Sequence, residues 1–198
     1  MPSAAGNGID IYFAVHGAGP PLLNISGSGN DLRRAPASIL PVDKVFETLS
    51  YDQRGLGQTS KPEADYTMAD YADDPAALIH SMGWASCHVL GTSFGGMVAL
   101  NLAVRHPDLV DRLVLCCTSP GGVAPATATP DPEQAAGLRR QLAARAGRDV
   151  VADLSSIMPP TLVWAGHYDD IGPMENSELI ADRIPVQHCG SSKEATSS

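Results

Sequence analysis

Short runs of apolar residues alternate along the chain with longer stretches in which apolar positions recur at intervals of three and four. The short runs fit strands buried on both faces and the longer stretches fit helices with one apolar stripe, which together predict a mostly parallel sheet flanked by helices, an α/β fold. Strands are predicted over residues 9–15, after an Asn7-Gly8 turn, and over 22–25, 45–51, 88–90, 113–116 and 161–165. Helices are predicted over 68–82, 94–105 and 174–183, with a further one over 133–146. Residues 118–132, rich in Pro, Ala, Thr and Gly without any period, read as a flexible connection. Residues 189–198 carry no hydrophobic pattern and are expected to form a disordered tail. No internal repeat interrupts this order, so residues 1–198 are expected to make a single domain.

Composition narrows the partners. A chain of 198 residues that is 43% hydrophobic and 18% charged can bury one sizeable core. Its formal net charge of -9 disfavours nucleic acid and anionic membrane, because both call for clustered Lys and Arg. The paired arginines, Arg33-Arg34 and Arg139-Arg140, are expected to be solvated helix faces. Residues 1–8 hold neither a basic segment nor an apolar one, and no stretch reaches the roughly 18 apolar residues of a membrane helix. These features predict a cytoplasmic protein. Cys87, Cys116, Cys117 and Cys189 lack metal-ligand spacing, and three of them fall in or beside apolar strands, which fits small hydrophobes in a reducing compartment. No metal site is expected. Gly55-Leu56-Gly57 lacks the third glycine and the strand-to-helix setting of a dinucleotide loop, so no cofactor is expected either.

The chemistry concentrates in Gly91-Thr92-Ser93-Phe94-Gly95, set between a predicted buried strand and a predicted amphipathic helix. A sharp turn from strand to helix forces the serine into strained backbone geometry, and the flanking glycines remove the side chains that would clash. Ser93 is thereby aimed above the sheet edge, with the amino-terminal dipole of the helix behind it to favour developing negative charge.

With this turn in place, the chain resembles the α/β-hydrolase fold family, in its branch of small soluble esterases, enol-lactonases and cofactor-free haloperoxidases. Tyr51-Asp52-Gln53-Arg54-Gly55-Leu56-Gly57-Gln58-Thr59-Ser60 is similar to the family's loop after its fourth strand, and the run from Arg105 to Leu115 is similar to the segment after the nucleophile helix. The resemblance covers most of residues 9–122, with a second stretch over 160–186. Asp52 and Arg54 are expected to form a structural ion pair. The resemblance implies that Ser93 is the nucleophile and that the backbone N–H groups of Phe94 and Ser28, the latter in Ile25-Ser26-Gly27-Ser28-Gly29-Asn30, form the oxyanion hole. It implies Asp169, in Gly166-His167-Tyr168-Asp169, as the acid that orients a histidine, with Asp170 as the fallback.

Two departures stand against the family's pattern. The histidine should follow one further strand beyond Asp169, and no strand is predicted after Gln187, so the sheet is expected to be truncated at its C-terminal edge. His188 is expected near the opposite edge from Ser93, His167 is the better-placed surrogate, and both are expected out of hydrogen-bond reach of Ser93. His16, His80, His88 and His106 read as structural histidines. The stretch 118–160 is shorter than the family's usual multi-helix cap, which predicts a shortened cap and an open pocket, with Arg139, Arg140 and Arg145 on a solvated helix face. The leading reading is a serine hydrolase of a small carboxylic ester or lactone, impaired where the triad histidine is lacking. The alternative is a noncatalytic small-molecule-binding protein on a degenerate hydrolase scaffold. An unpaired sheet edge further predicts homo-oligomer formation.

Overall fold

Asn7 and Gly8 both adopt the left-handed backbone, with φ of 49° and 76°, that a two-residue hairpin turn requires. In the computed structural model this turn joins β1 (Ser3–Gly6) to β2 (Ile9–His16). The structure describes residues 2–33, 41–121, 132–147, 149–166, 169, 172–185 and, for the backbone alone, 187–192. The remaining strands are β3 (Pro21–Ile25), β4 (Glu47–Tyr51), β5 (Cys87–Thr92), β6 (Val110–Cys116), β7 (Thr161–Gly166) and β8 (Gln187–Ser192). Among the described residues, four α-helices accompany them: α1 (Met68–Ser81), α2 (Phe94–Arg105), α3 (Ala135–Ala146) and α4 (Met174–Arg183).

The strands form one sheet in the order β1-β2-β4-β3-β5-β6-β7-β8. β1, β2 and β4 pair antiparallel, and every pairing from β4 to β8 is parallel. After β3 the chain turns outward to β4 and then returns to the other side of β3 as β5. The strand order therefore reverses between β3 and β5, and their carboxyl ends flank the crevice where open α/β sheets present their sites. Ile25 stands in register with Gly91 at that point.

Burial follows the predicted stripes. On α2 every residue from Phe94 to Ala103 is buried, because this helix lies between the sheet and α1. On α1 the Thr67 hydroxyl accepts from the Asp70 amide and the Asp70 carboxylate accepts from the Thr67 amide, a capping box that fixes where the helix starts. Cys87 is buried and Cys116 and Cys117 half-buried, all as free thiols. Burial pushes Cys87 up to about 12 and Cys116 up to about 11.

Several expectations are corrected. A strand does follow Gln187: β8 pairs with all six residues of β7, from Thr161 beside Gln187 to Gly166 beside Ser192. The sheet is therefore not truncated there, and the β7 edge thought to be open is occupied. The physical reason is that an edge strand of parallel ladder needs only backbone N–H and C=O groups from its neighbour, which leave no mark in side-chain pattern. Residues 189–192 belong to this strand, and the rest of the expected tail, 193–198, lies outside the described residues. Arg33 sits in a turn, not on a helix face, with its guanidinium on the Asp31 and Glu133 carboxylates. Arg34 lies outside the described residues. Arg145 is buried at 8% exposure, unlike exposed Arg139. Arg140 is half-buried with its guanidinium 5.3 Å from the Tyr66 ring centre.

The expected Asp52–Arg54 pair does not form either. Arg54 is paired instead with Asp74 of α1, Nη2 donating to Oδ1 at 2.5 Å and Nε to Oδ2 at 2.7 Å, while Asn7 donates to the same carboxylate at 2.9 Å. Both side chains are nearly inaccessible, at 7% and 1%. Asp74→Ala should destabilise the fold by about 3–5 kcal/mol in urea unfolding, because it strands the Arg54 charge in the interior. The double change Arg54→Met with Asp74→Leu should recover most of that loss, and failure to recover would show that the pair specifies the fold as well as stabilising it.

Candidate active site

The strand-to-helix turn is built by close backbone approach. Ser93 has φ 54° and ψ -119°, a conformation open to glycine and strained for a residue with a Cβ. Three glycines allow it. A Cβ at Gly95 would overlap the carbonyl oxygen of Ile25 and come within 2.5 Å of that of Ser26, one at Gly91 would come within 2.6 Å of the Gly95 carbonyl, and one at Gly96 within 2.5 Å of Thr118 Oγ1. The helix thus starts directly against the end of β3. Ser93 is held through its backbone: its amide donates to the Cys116 carbonyl at 2.9 Å, and its own carbonyl accepts from Thr118 Oγ1 at 2.7 Å as well as from the Gly96 amide at 2.9 Å and the Met97 amide at 3.3 Å. Behind it Phe94 packs edge-on to Tyr71 at 5.0 Å, and Tyr71 packs edge-on to Tyr66 at 5.9 Å.

Gly27 faces this turn, with space for its missing Cβ 3.5 Å from Ser93 Cβ. Ser28 follows, half-buried. Among the described residues no acceptor engages the amides of Ser28 or Phe94, whereas the next amide, Gly29, donates to Gln141 Oε1 at 2.9 Å. Two unengaged N–H groups at the carboxyl ends of β3 and β5 are what an oxyanion hole requires.

Asp169 stands on the far side of β6. Its amide donates to the Gly166 carbonyl at 3.3 Å and its carboxylate accepts from the Gly172 amide at 2.9 Å. Cys117, at the end of β6 with φ 50°, lies beside that carboxylate. Burial and the Asp169 charge together push the Cys117 thiol up. Ser93 and Asp169 therefore flank the same end of β6, one held by Cys116 and the other beside Cys117.

The histidines divide clearly. The register of β8 puts His188 beside Leu162, near the amino end of β7, four residues and about 13 Å short of the Gly166–Ser192 edge. His167 and Asp170 lie outside the described residues. His106 Nε2 is 2.7 Å from Asp73 Oδ1, a carboxylate that also binds Arg105. His88 packs on the Phe46 ring at 5.7 Å, and His16 and His80 are exposed. Among the described residues no imidazole contacts Ser93. No group of three or more His, Cys, Asp or Glu could hold a metal ion among the described residues, and no described helix is long and apolar enough to cross a membrane.

Of the polar residues that bind the site's loops together, the sequence points to Asp52 alone, and there as a partner of Arg54. Asp52 accepts from the Leu32 amide at 2.7 Å and the Gln58 amide at 2.8 Å, and burial pushes its carboxyl above the usual carboxylate range despite those two bonds. Gln53, Gln134 and Gln141 are equally buried. A signal was present: Gln134, Gly137 and Gln141 share one face of a helix at intervals of three and four, and a polar residue on a buried stripe calls for a partner.

The sequence profile of the alpha/beta hydrolase fold matches residues 20–156, and the chain belongs to that family. Among curated proteins it is 36% identical over 107 residues to the 2-(acetamidomethylene)succinate hydrolase of Mesorhizobium japonicum, covering 54% of this chain and 38% of that one. It is 29% identical over 115 residues to a putative carbamate hydrolase of Azorhizobium caulinodans, covering 58% and 43%. The chain thus spans less than half the length of these curated relatives. Among solved structures, the enol-lactonase of Burkholderia xenovorans superposes with a TM-score of 0.84 at 20% identity, over 97% of this chain and 91% of that one. A hydrolase of Pseudomonas aeruginosa gives 0.83 at 27% identity, over 96% and 88%.

The backbone at Ser93 makes its own prediction. Ser93→Gly should be more stable than Ser93→Ala by about 1 kcal/mol in urea unfolding, since only glycine occupies this φ and ψ without strain. Equal stability of the two variants would mean that the turn relaxes in solution.

Proposed function

We propose that the protein is a serine hydrolase of small carboxylic esters or lactones, with Ser93 as nucleophile. The observation that carries this reading is the strained Ser93 at the start of α2, with the unengaged Phe94 amide beside it and the turn that bears the Ser28 amide packed against it from the end of β3. A binding scaffold gains nothing from holding a hydroxyl in such a conformation, whereas a nucleophile must stand clear of its own helix. Names of relatives, a carbamate hydrolase and an enol-lactonase among them, support attack at an acyl carbon.

In this reading Ser93 Oγ adds to the carbonyl carbon and its proton passes to an imidazole. The carbonyl oxygen becomes an oxyanion facing the Phe94 and Ser28 amides, and the C–O bond to the alcohol breaks as that proton is delivered to the leaving oxygen. Water then releases the acid by the reverse sequence. Asp169 orients the imidazole. The family's histidine position beyond Asp169 is not filled, so the hydrolase is impaired unless a surrogate base serves, and His167, two residues before Asp169, is the surrogate within this sequence.

A second reading, a noncatalytic small-molecule binder, is favoured by one observation: no described imidazole contacts Ser93. Labelling with a fluorophosphonate probe separates the two. The hydrolase reading expects labelling that Ser93→Ala abolishes, and slowing by about 10²-fold or more in His167→Ala would identify His167 as the substitute base. Folded wild-type protein that does not label rejects it in favour of the binder.

A further inference from the structure

α3 lies across two loops, the turn after β3 and the loop after β4, and reaches both with buried glutamines. At its start Gln134 accepts from the Gly57 amide at 3.1 Å and donates to Asp31. One turn on, Gly137 rests on the Gly55 backbone so closely that a Cβ would overlap the Gly55 carbonyl. Two turns on stands Gln141, with no exposed surface.

Gln141 belongs to a closed relay. The Gly29 amide donates to Gln141 Oε1 at 2.9 Å, Gln141 Nε2 donates to Gln53 Oε1 at 3.0 Å, and Gln53 Nε2 donates to the Ser26 carbonyl at 2.6 Å. The relay can run only one way, because its ends are fixed: a backbone N–H can only donate and a backbone C=O can only accept. Reversing either side-chain amide would oppose two donors at one junction and two acceptors at the other. Gln53 is as fully buried as Gln141, so no exchange with solvent is open to either. The two residues tied together, Ser26 and Gly29, bracket Gly27 and Ser28.

We infer that Gln141 is a positioning residue: through Gln53 it closes the Ser26–Gly29 turn and fixes the direction of the Ser28 amide. The inference rests on the reading of that amide as an oxyanion donor. Gln134 supplies the contrast. It docks the same helix on the same two loops, yet its bonds reach Asp31 and Gly57, outside the turn.

The test follows fluorophosphonate labelling rate together with amide hydrogen exchange at Ser28 and Gly29, in folded protein well below its melting temperature. Gln141→Met and Gln53→Met each keep side-chain volume while breaking the relay. Each should slow labelling by about ten-fold or more, the cost of a slightly misplaced donor. The double variant should be no slower than the worse single, since both cut one chain of bonds. Gln134→Met should stay within about two-fold of wild type even where it lowers the melting temperature comparably. Unchanged labelling in Gln141→Met, or equal slowing in Gln134→Met, overturns the inference. Should the wild type not label, the hydrolase reading fails by itself, and exchange decides the inference: Gln53→Met touches neither amide, so faster exchange at Gly29 supports the relay and unchanged exchange refutes it.

Discussion

The start of α2 against the end of β3 is the contact on which the rest of the site depends. At Gly95 the helix backbone meets the carbonyls of Ile25 and Ser26 with no room for a Cβ. That approach goes with the positive φ of Ser93 and leaves room at Gly27 for no more than a Cβ against the Ser93 side chain. Because β3 and β5 are neighbours across the reversal in strand order, one contact places Ser93, the proposed nucleophile, and the turn bearing its candidate oxyanion donor together. A larger residue at 95 would separate both at once.

Around this contact the protein uses buried polar groups to hold loops, not only apolar packing. Asp52, Gln53, Gln134 and Gln141 join the turn after β3, the loop after β4 and α3 through hydrogen bonds shielded from water. Such groups are costly to bury unless every partner is in place, so they favour one arrangement over its near alternatives. Arg54 and Asp74 do the same between the loop after β4 and α1. The short stretch between β6 and β7 therefore contributes more than a cover: α3 is anchored to the base of the site.

Much of this was legible from the chain. Among the described residues, the apolar runs located six of eight strands to within a few residues, and periodicity located the four α-helices, with 94–105 and 174–183 matching end to end. Gly91 to Gly95 signalled a strained turn, because glycines at that spacing between a strand and a helix have few other uses. What escaped was structure that borrows its cause from a neighbour. β1 (Ser-Ala-Ala-Gly) and β8 (Gln-His-Cys-Gly-Ser-Ser) have no alternating apolar face, and each exists because an adjacent strand offers a row of backbone groups to pair with. The partner of Arg54 escaped for a related reason, since Asp74 is twenty residues away and reaches it only once α1 has docked.

By itself the sequence determined the α/β alternation, the identity of the strained serine and the family to which the chain belongs, since these follow from local pattern and backbone allowance. Only the tertiary structure decided which carboxylate neutralises Arg54, that β8 runs parallel to β7 and leaves His188 near the amino end of the sheet, and that two glutamines close the turn beside Ser93. Hydrophobic periodicity records which face of an element is buried. It does not record which buried polar atom will meet which, because that depends on distances set after the elements have packed.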